Sequence, residues 1–489
     1  MNDLILLIPV LFPILVGFFI RFFKFSSVKT VKAVSAIAII INIFILFAVL
    51  SGAASGLELI DINGSLKIAF KLDDLGKLFT VLISIIWLLV CFYSFEYMKH
   101  EGREQRFFAY FIATYGAVMG LGFSSNFFTF YLCYEAMTLL SFPLVMHNLS
   151  QDAIKAGIKY LAYSFFGATL VLLGMFFIFR YTNTLDFVPG GVLNIANIGD
   201  KRDFLLLLYT LMFIGFGGKA GMFPLHAWLP TAHPVAPSSA SAILSGVITK
   251  AGVLGIMRTT FFVFGGEFIY GSWAQTLLMS MTLITVFMGS MMAFRENHLK
   301  KRLAYSSVSQ VSYILFGIIA LNPMGFTGSI LHIFAHAFIK NTLFLCAGAI
   351  IYMTHHVYVS DLKGIGKEMP VTMWCFTIAS LALVGIPPLS GFVSKYYLAM
   401  GGLSLNTTLG VVGVAVLLIS ALLTAGYLIP VFVKGFFPGN DFDYKSLKKK
   451  EANLYMTVPM IIMTVFTILI GAFPMSVVDF IVNITKGIF

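Results

Sequence analysis

A chain of 489 residues that is 59% hydrophobic, 15% aromatic and only 11% charged, with a mean hydropathy of +0.93, cannot cover itself with a water-soluble surface. Its 32 Lys and Arg against 21 Asp and Glu give a net charge of +11; in so apolar a chain this points to a membrane face and excludes the need for a nucleic-acid partner. Apolar runs of about 20 residues recur and none alternates with period two, so the class is an all-α polytopic membrane protein and not a barrel.

The first run, Leu4 to Ile20, carries Pro9 and Pro13 and lacks a basic leader and a small-residue cleavage site, so it is expected to remain as the first span. Fourteen spans are predicted, at 3–21, 31–50, 75–98, 107–122, 126–146, 156–179, 203–222, 238–262, 273–294, 302–321, 327–353, 371–398, 409–433 and 455–483. The longest polar connectors, 51–74, 181–203 and 438–452, are too short to bury a core of their own. Basic residues on alternate connectors divide twenty to eight, with four more inside helices. The rich side includes Arg103, Arg106, Lys300, Lys301, Lys445 and Lys448; the poor side includes Lys67, Lys71, Arg180 and Arg258. Such an excess marks the cytoplasmic side, which puts both termini on the other side. The run Leu447 to Glu451 then reads as a solvated cytoplasmic loop. Cys91, Cys133, Cys346 and Cys375 sit singly in apolar runs, the pattern of packing residues and not of metal ligands or disulfides.

The stretch from Gly215 to Arg258 carries two lysines, Lys219 and Lys250, inside apolar segments, with Gly217, Gly218, Gly221, Pro224, Pro230, Pro234 and Pro237 between and around them. A charge at bilayer depth costs at least about 2.5 kcal/mol, and broken backbone is tolerated there only where it is buried or lines a wet cavity. A second break, Gly385, Pro387, Pro388 and Gly391, precedes Lys395. Two such breaks point to an internal repeat of about five helices, 107–262 and 273–433, around a transport path.

Glu135 is a carboxylate in an apolar run, and Lys219 is its expected partner, either as a switch on the lysine's proton or as a static packing pair. His332, His336 and Lys340, at i, i+4 and i+8, share one helix face and are expected to relay protons in preference to binding a metal, since further ligands are not apparent. His226 and His233 flank the first break and either extend the path or bond a local carbonyl. Tyr305, Ser306, Ser307, Ser309, Gln310 and Ser312 make one helix hydroxyl-rich, a weak signal because Ser and Thr are common helix glue in membranes. There is no nucleotide-binding glycine loop, no cysteine cluster for iron and sulfur, and no nucleophile elbow, so the pattern is one of ion transport, with no cofactor and no metal expected in this chain.

Several of these stretches together resemble one family. GKAGMFPLHAWLPTAHPVAPSSASAILSGVITKAG at 218–252, KRLAYSSVSQVSYILFG at 301–317, HIFAHAFIKNTLFLCAGA at 332–349 and PPLSGFVSKYYL at 387–398 look like the antiporter-like subunits shared by respiratory complex I, Mrp-type Na+/H+ antiporters and energy-converting membrane-bound hydrogenases. YEAMTLLSFPLV at 134–145 looks most like the Mrp D subunit and its hydrogenase counterparts. The resemblance implies fourteen helices with two inverted five-helix repeats and broken helices 7 and 12. The expected organisation is helices 1–3 in 1–106, one repeat in 107–262, the second in 263–433, and a cytoplasmic connector with helix 14 in 434–489.

By motif, Glu135, Lys219, Lys250 and Lys395 take the family's proton-translocating positions, with His226, His332, His336 and Lys340 as auxiliary relay. Gln310 stands where relatives often carry histidine, and Lys395 departs from the complex I subunit that has glutamate there. The implied function is a proton-translocating subunit of an Mrp-type or hydrogenase-type complex in the inner membrane, with a complex I-type subunit or a non-conducting scaffold as alternatives. The implied partners are other integral membrane subunits, peripheral iron–sulfur or hydrogenase subunits, lipid, H+ and Na+, and no nucleic acid.

Overall fold

The structure, a computed structural model, describes residues 3–52, 55–62, 66–182, 184–193, 198–439 and 449–489. In chain order the elements are α1 (Ile8–Phe22), α2 (Val28–Ser51), the antiparallel hairpin β1 (Leu57–Asp61) and β2 (Lys67–Phe70), α3 (Asp74–Glu101), α4 (Glu104–Phe123), α5 (Phe127–Val145), α6 (Gln151–Ile178) and α7 (Arg202–Ala220). There follow α8 (Leu229–Val235), α9 (Ser238–Phe264), α10 (Trp273–Arg295), α11 (Leu299–Ile319), α12 (Pro323–Thr354), α13 (Pro370–Val384), α14 (Ser390–Leu403), α15 (Thr408–Phe436), α16 (Leu454–Ala472) and α17 (Met475–Lys486). The protein is an all-α polytopic membrane protein. Helix starts are written in the sequence: side chains of Ser27, Asp73, Asn126, Ser150, Ser272, Asn322 and Thr407 each accept a hydrogen bond from a backbone N–H in the first turn they precede.

Among the described residues eleven helices are long and apolar enough to cross a membrane. The other three stretches expected to span depart from a plain apolar helix. α1 has 15 residues, α11 is the hydroxyl-rich helix, and 371–398 is interrupted between α13 and α14. The single span expected at 455–483 is instead two helices, parted at Phe473 and Pro474. The 19 residues of α16 already reach about 28 Å, close to the thickness of the hydrocarbon core, and Pro474 has no N–H to continue the ladder.

α9 and α12 form the centre. The apolar window of α9 is 100% buried and that of α12 is 94% buried, against 28% for the peripheral α15. α9 can sit inside because its glycines let neighbours touch its backbone. A Cβ at Gly252 would lie 2.6 Å from the Phe216 carbonyl oxygen of α7, and one at Gly246 would lie 1.9 Å from the Asn341 amide nitrogen of α12. π-helical turns at Leu244–Ile248 and Thr259–Phe264 loosen the ladder of α9 on either side of Lys250.

The two breaks use one device. α7 ends on Gly221 at φ 89°, whose N–H bonds the Gly218 carbonyl while that of Met222 bonds Gly217. α13 ends on Gly385 at φ 99°, with Ile386 N–H bonding Leu381. Both are left-handed glycine caps that close freed carbonyls where the helix stops.

Several basic residues expected in connectors fall within the helix ends, and two of them are buried. Arg258 is inside α9, wholly buried and paired with Asp73, and Lys300 is in the first turn of α11, 4% exposed, donating to the Ala236 carbonyl. In sequence a charge reads as the end of an apolar run, whereas here a neighbouring element supplies each with a partner. Lys445, Leu447 and Lys448, expected in a cytoplasmic loop, lie outside the described residues.

The break before Lys395 demands glycine at 391, where a Cβ would fall 1.8 Å from the Ala382 carbonyl oxygen. Gly391→Ala is expected to cost about 1–3 kcal/mol through forced backbone movement. Gly487→Ala, with its nearest atom at 3.4 Å, is expected to be neutral. Thermal unfolding of the detergent-solubilised variants measures both.

Candidate functional site

Lys219 ends up in the last turn of α7 because the glycine that stops the helix follows it closely. Its ammonium has three donors, and three hydroxyls meet them: Thr138 of α5 at 2.9 Å, Tyr160 of α6 at 3.0 Å and Ser164 of α6 at 2.8 Å. It also stands 4.4 Å from the centre of the Tyr160 ring and 5.6 Å from that of Tyr134, favourable positions for a cation. The Tyr160 hydroxyl is itself 2.6 Å from Ser141. The lysine is thus solvated by neutral groups.

Glu135 makes no direct ion pair with Lys219, and the two charges act on each other across a gap. The hydroxyl cage occupies the ammonium, and the Glu135 Oε1 atom is buried without a hydrogen-bond partner. The residue is half-buried, on a stripe of α5 with Leu132 and Leu139, which are 39% and 53% exposed. The carboxylate sits three residues before Thr138, one helical turn from a cage ligand.

Lys250 lies in α9 just beyond its first π-turn. Its ammonium meets the Ser245 carbonyl at 2.5 Å and Nδ1 of His336 at 2.5 Å. Lys340, one turn further along α12, donates to the Leu303 carbonyl at 2.9 Å and to the Ser306 hydroxyl of α11. His332 and His336 have ring centres 5.9 Å apart, so the helical spacing read from sequence does bring them together. His332 Nδ1 contacts the Ser394 hydroxyl at 2.9 Å, and its ring stacks on Tyr313 at 5.7 Å. Lys395 follows Ser394 directly. Its ammonium is held by the last carbonyls of α13, Leu383 at 2.6 Å and Val384 at 3.0 Å, and lies 5.0 Å from the Tyr313 ring centre. A half-helix C-terminus carries partial negative charge, a natural seat for a cation inside a membrane.

The expected residues Lys250, His336, His332 and Lys395 therefore fall in one run, with Tyr313 and Ser394 between the last two. Lys219 stands beside it across Gly252, where a Cβ would lie 3.2 Å from the Lys219 Cβ atom. His226 is not joined to this run; it is half-buried near Phe223 with an unpartnered Nδ1. His233 is wholly buried, stacked on Phe344 at 4.6 Å, with both ring nitrogens unpartnered. Neither histidine bonds a local carbonyl through its ring. Nε2 of His332, Nε2 of His336 and both amide atoms of Gln310 are likewise buried and unpartnered. Buried polar atoms are as a rule satisfied by protein or by ordered water, so this string marks polar ground along the run.

Sequence reading missed Tyr160, Ser164 and Thr138 around Lys219, and Tyr313 and Ser394 beside Lys395. The available signal was faint: Tyr160 and Ser164 are four residues apart in an apolar run, which puts two hydroxyls on one helix face.

Residues 124–424 match the family model described as NADH:quinone oxidoreductase/Mrp antiporter, transmembrane, and residues 60–108 match the N-terminus of complex I chain 5. The chain belongs to this antiporter family. It is 33% identical over 378 residues to the N subunit of NADH-quinone oxidoreductase from Desulforudis audaxviator, covering 76% of this chain and 73% of the relative. It is 27% identical over 477 residues to the Na+/H+ antiporter D subunit of Alkalihalophilus pseudofirmus, covering 96% of this chain and 94% of that one. Its fold overlays a chain of the Mrp complex from a Dietzia species with a TM-score of 0.83, at 20% identity over 100% of this chain and 98% of the other.

In this family member the cage around Lys219 is open to test. Tyr160→Phe removes one hydrogen bond to a charged group, worth about 1.5–3 kcal/mol, and is expected to slow ion translocation by about tenfold. Adding Ser164→Ala is expected to slow it further. Flux in sealed vesicles, normalised to assembled complex, measures both.

Proposed function

We propose that this chain is the proton-translocating, antiporter-like subunit of a multisubunit complex in the inner membrane, of the Mrp or membrane-bound hydrogenase type. The observation that carries the reading is the run from Lys250 through His336 and His332 to Lys395, with caged Lys219 beside its start. Lysines held by neutral hydroxyls, a histidine nitrogen and carbonyls keep their charge solvated without a fixed counterion, so a proton can leave and return at each. Histidine rings between them accept and pass protons near neutral pH.

The proton enters by one half-channel, passes Lys219, Lys250 and the histidines, and leaves past Lys395. Glu135, one helical turn from the cage ligand Thr138, modulates Lys219 by its charge and not as a contact partner. Its carboxylate lies on an outward stripe of an apolar helix, which favours a neighbouring membrane subunit covering it. The two breaks fall in two five-helix repeats, and the basic excess faces the cytoplasm, with the termini and the β-hairpin on the opposite side. Energy comes from outside this chain, through redox subunits or a sodium gradient, since the reading places no redox centre here. A complex I-type role is the alternative that the relatives also support.

The test is ion translocation by the assembled complex in sealed vesicles, with protons and sodium followed separately. Lys219→Ala and Lys395→Ala are each expected to abolish driven translocation while the complex stays assembled. Undiminished flux of both ions would make the chain a scaffold.

A further inference from the structure

Between Lys219 and the face that carries the β-hairpin, the packing is aromatic. Tyr134 lies beside the lysine, Phe216 packs on Tyr134 at 5.2 Å, and Phe130 and Phe127 pack on Phe216 at 5.9 and 6.0 Å. Phe187, from the segment after α6, covers Phe130 and Phe127 at 6.1 and 6.2 Å, and Phe262 of α9 closes on Phe187 at 6.3 Å. Above these rings lies Arg258. Its guanidinium is 4.7 Å from the centres of both Phe187 and Phe262, is wholly buried, and is gripped through both terminal nitrogens by Asp73, Nη2 to Oδ1 at 2.7 Å. The Asp73 side chain is 33% exposed. The pair therefore sits where water ends and the dry interior begins.

The cover is stitched in place. Gly190 N–H bonds the Phe261 carbonyl at 3.0 Å, Val192 N–H bonds that of Val263 at 2.9 Å, and Phe187 N–H bonds that of Ser125 at 2.9 Å. The carbonyls that receive the first two belong to the terminal π-turn of α9. The same face looks different near Lys395. There a cleft of about 500 Å³ opens between Thr327, Tyr397, Thr485 and Lys486, two residues beyond the lysine along α14.

Protons move along hydrogen-bonding groups and water, and the phenylalanine rings beyond Tyr134 offer neither. A buried guanidinium that never loses its charge repels any cation that reaches it. We propose that the aromatic column and its Arg258–Asp73 cap form a lock that shuts the hairpin-side exit of the first break, so that charge held at Lys219 and Lys250 reaches this face only by way of Lys395. This rests on the translocation reading above and assigns the lock's residues a task in it: they set where the proton leaves.

The test is passive and needs no energy source. Assembled complex in sealed vesicles is given a pH step, with K+ and valinomycin to carry counter-charge, and a trapped pH dye reads proton entry. Arg258→Gln and Phe187→Ser are compared with wild type, each alone and with Lys395→Ala added. The lock predicts gradient decay at least about tenfold faster in both variants, with the dye retained and the leak persisting in the Lys395→Ala background. Arg258→Lys, which keeps the charge, is expected to leak far less than Arg258→Gln. Assembled variants as tight as wild type, a leak abolished by Lys395→Ala, or equal leaks from the lysine and glutamine variants would each overturn it. Loss of driven transport in Lys395→Ala alone bears on the translocation reading and is read separately.

Discussion

The cost of holding an ammonium group inside a membrane governs this structure. Lys219, Lys250 and Lys340 are buried and Lys395 is half-buried among apolar helices, and each is met by a different neutral set: hydroxyls, a carbonyl with a histidine nitrogen, a carbonyl with a serine, and the end of a half-helix. A carboxylate partner would hold the charge more tightly and fix its proton; neutral acceptors lower the cost of the charged state without locking it. Arg258 is the contrast. It has its carboxylate, Asp73, and two aromatic faces, and nothing about its surroundings invites exchange.

The helix breaks follow from the same constraint. Solvating a charge at mid-membrane takes polar atoms where side chains are mostly apolar, and stopping a helix there releases backbone carbonyls. Glycine caps at Gly221 and Gly385 make the stop clean, and the carbonyls of Leu383 and Val384 are spent on Lys395. The close approach of α9 to α7 and α12 through Gly246 and Gly252 then brings Lys250 within reach of His336 and beside Lys219.

Much of this is legible in the sequence. Four lysines in apolar segments, two glycine and proline clusters, and histidines spaced four apart each say something that needs no coordinates. What is not legible depends on contacts between helices distant in the chain. Tyr160 and Ser164 look like ordinary helix glue until α7 lays Lys219 between them, and Arg258 looks like a span's end until Asp73, 185 residues earlier, is found against it. The Glu135 to Lys219 pairing holds only at a distance and not as a contact, for a related reason. Charge complementarity is sound, but the nearer hydroxyls take the ammonium, and sequence carries no measure of that competition. The split between α16 and α17 is signalled by Pro474, and is masked in the sequence because the apolar composition continues beyond it.

The central claim is a continuous polar route between Lys250 and Lys395. Electron cryomicroscopy of the assembled complex, at a resolution that shows ordered water, tests it most directly. The account predicts waters bonded to Nε2 of His336, Nε2 of His332 and the Gln310 amide, forming an unbroken line beside the two histidines. Those atoms packed dry against side chains, or Lys250 turned away from His336, would contradict it.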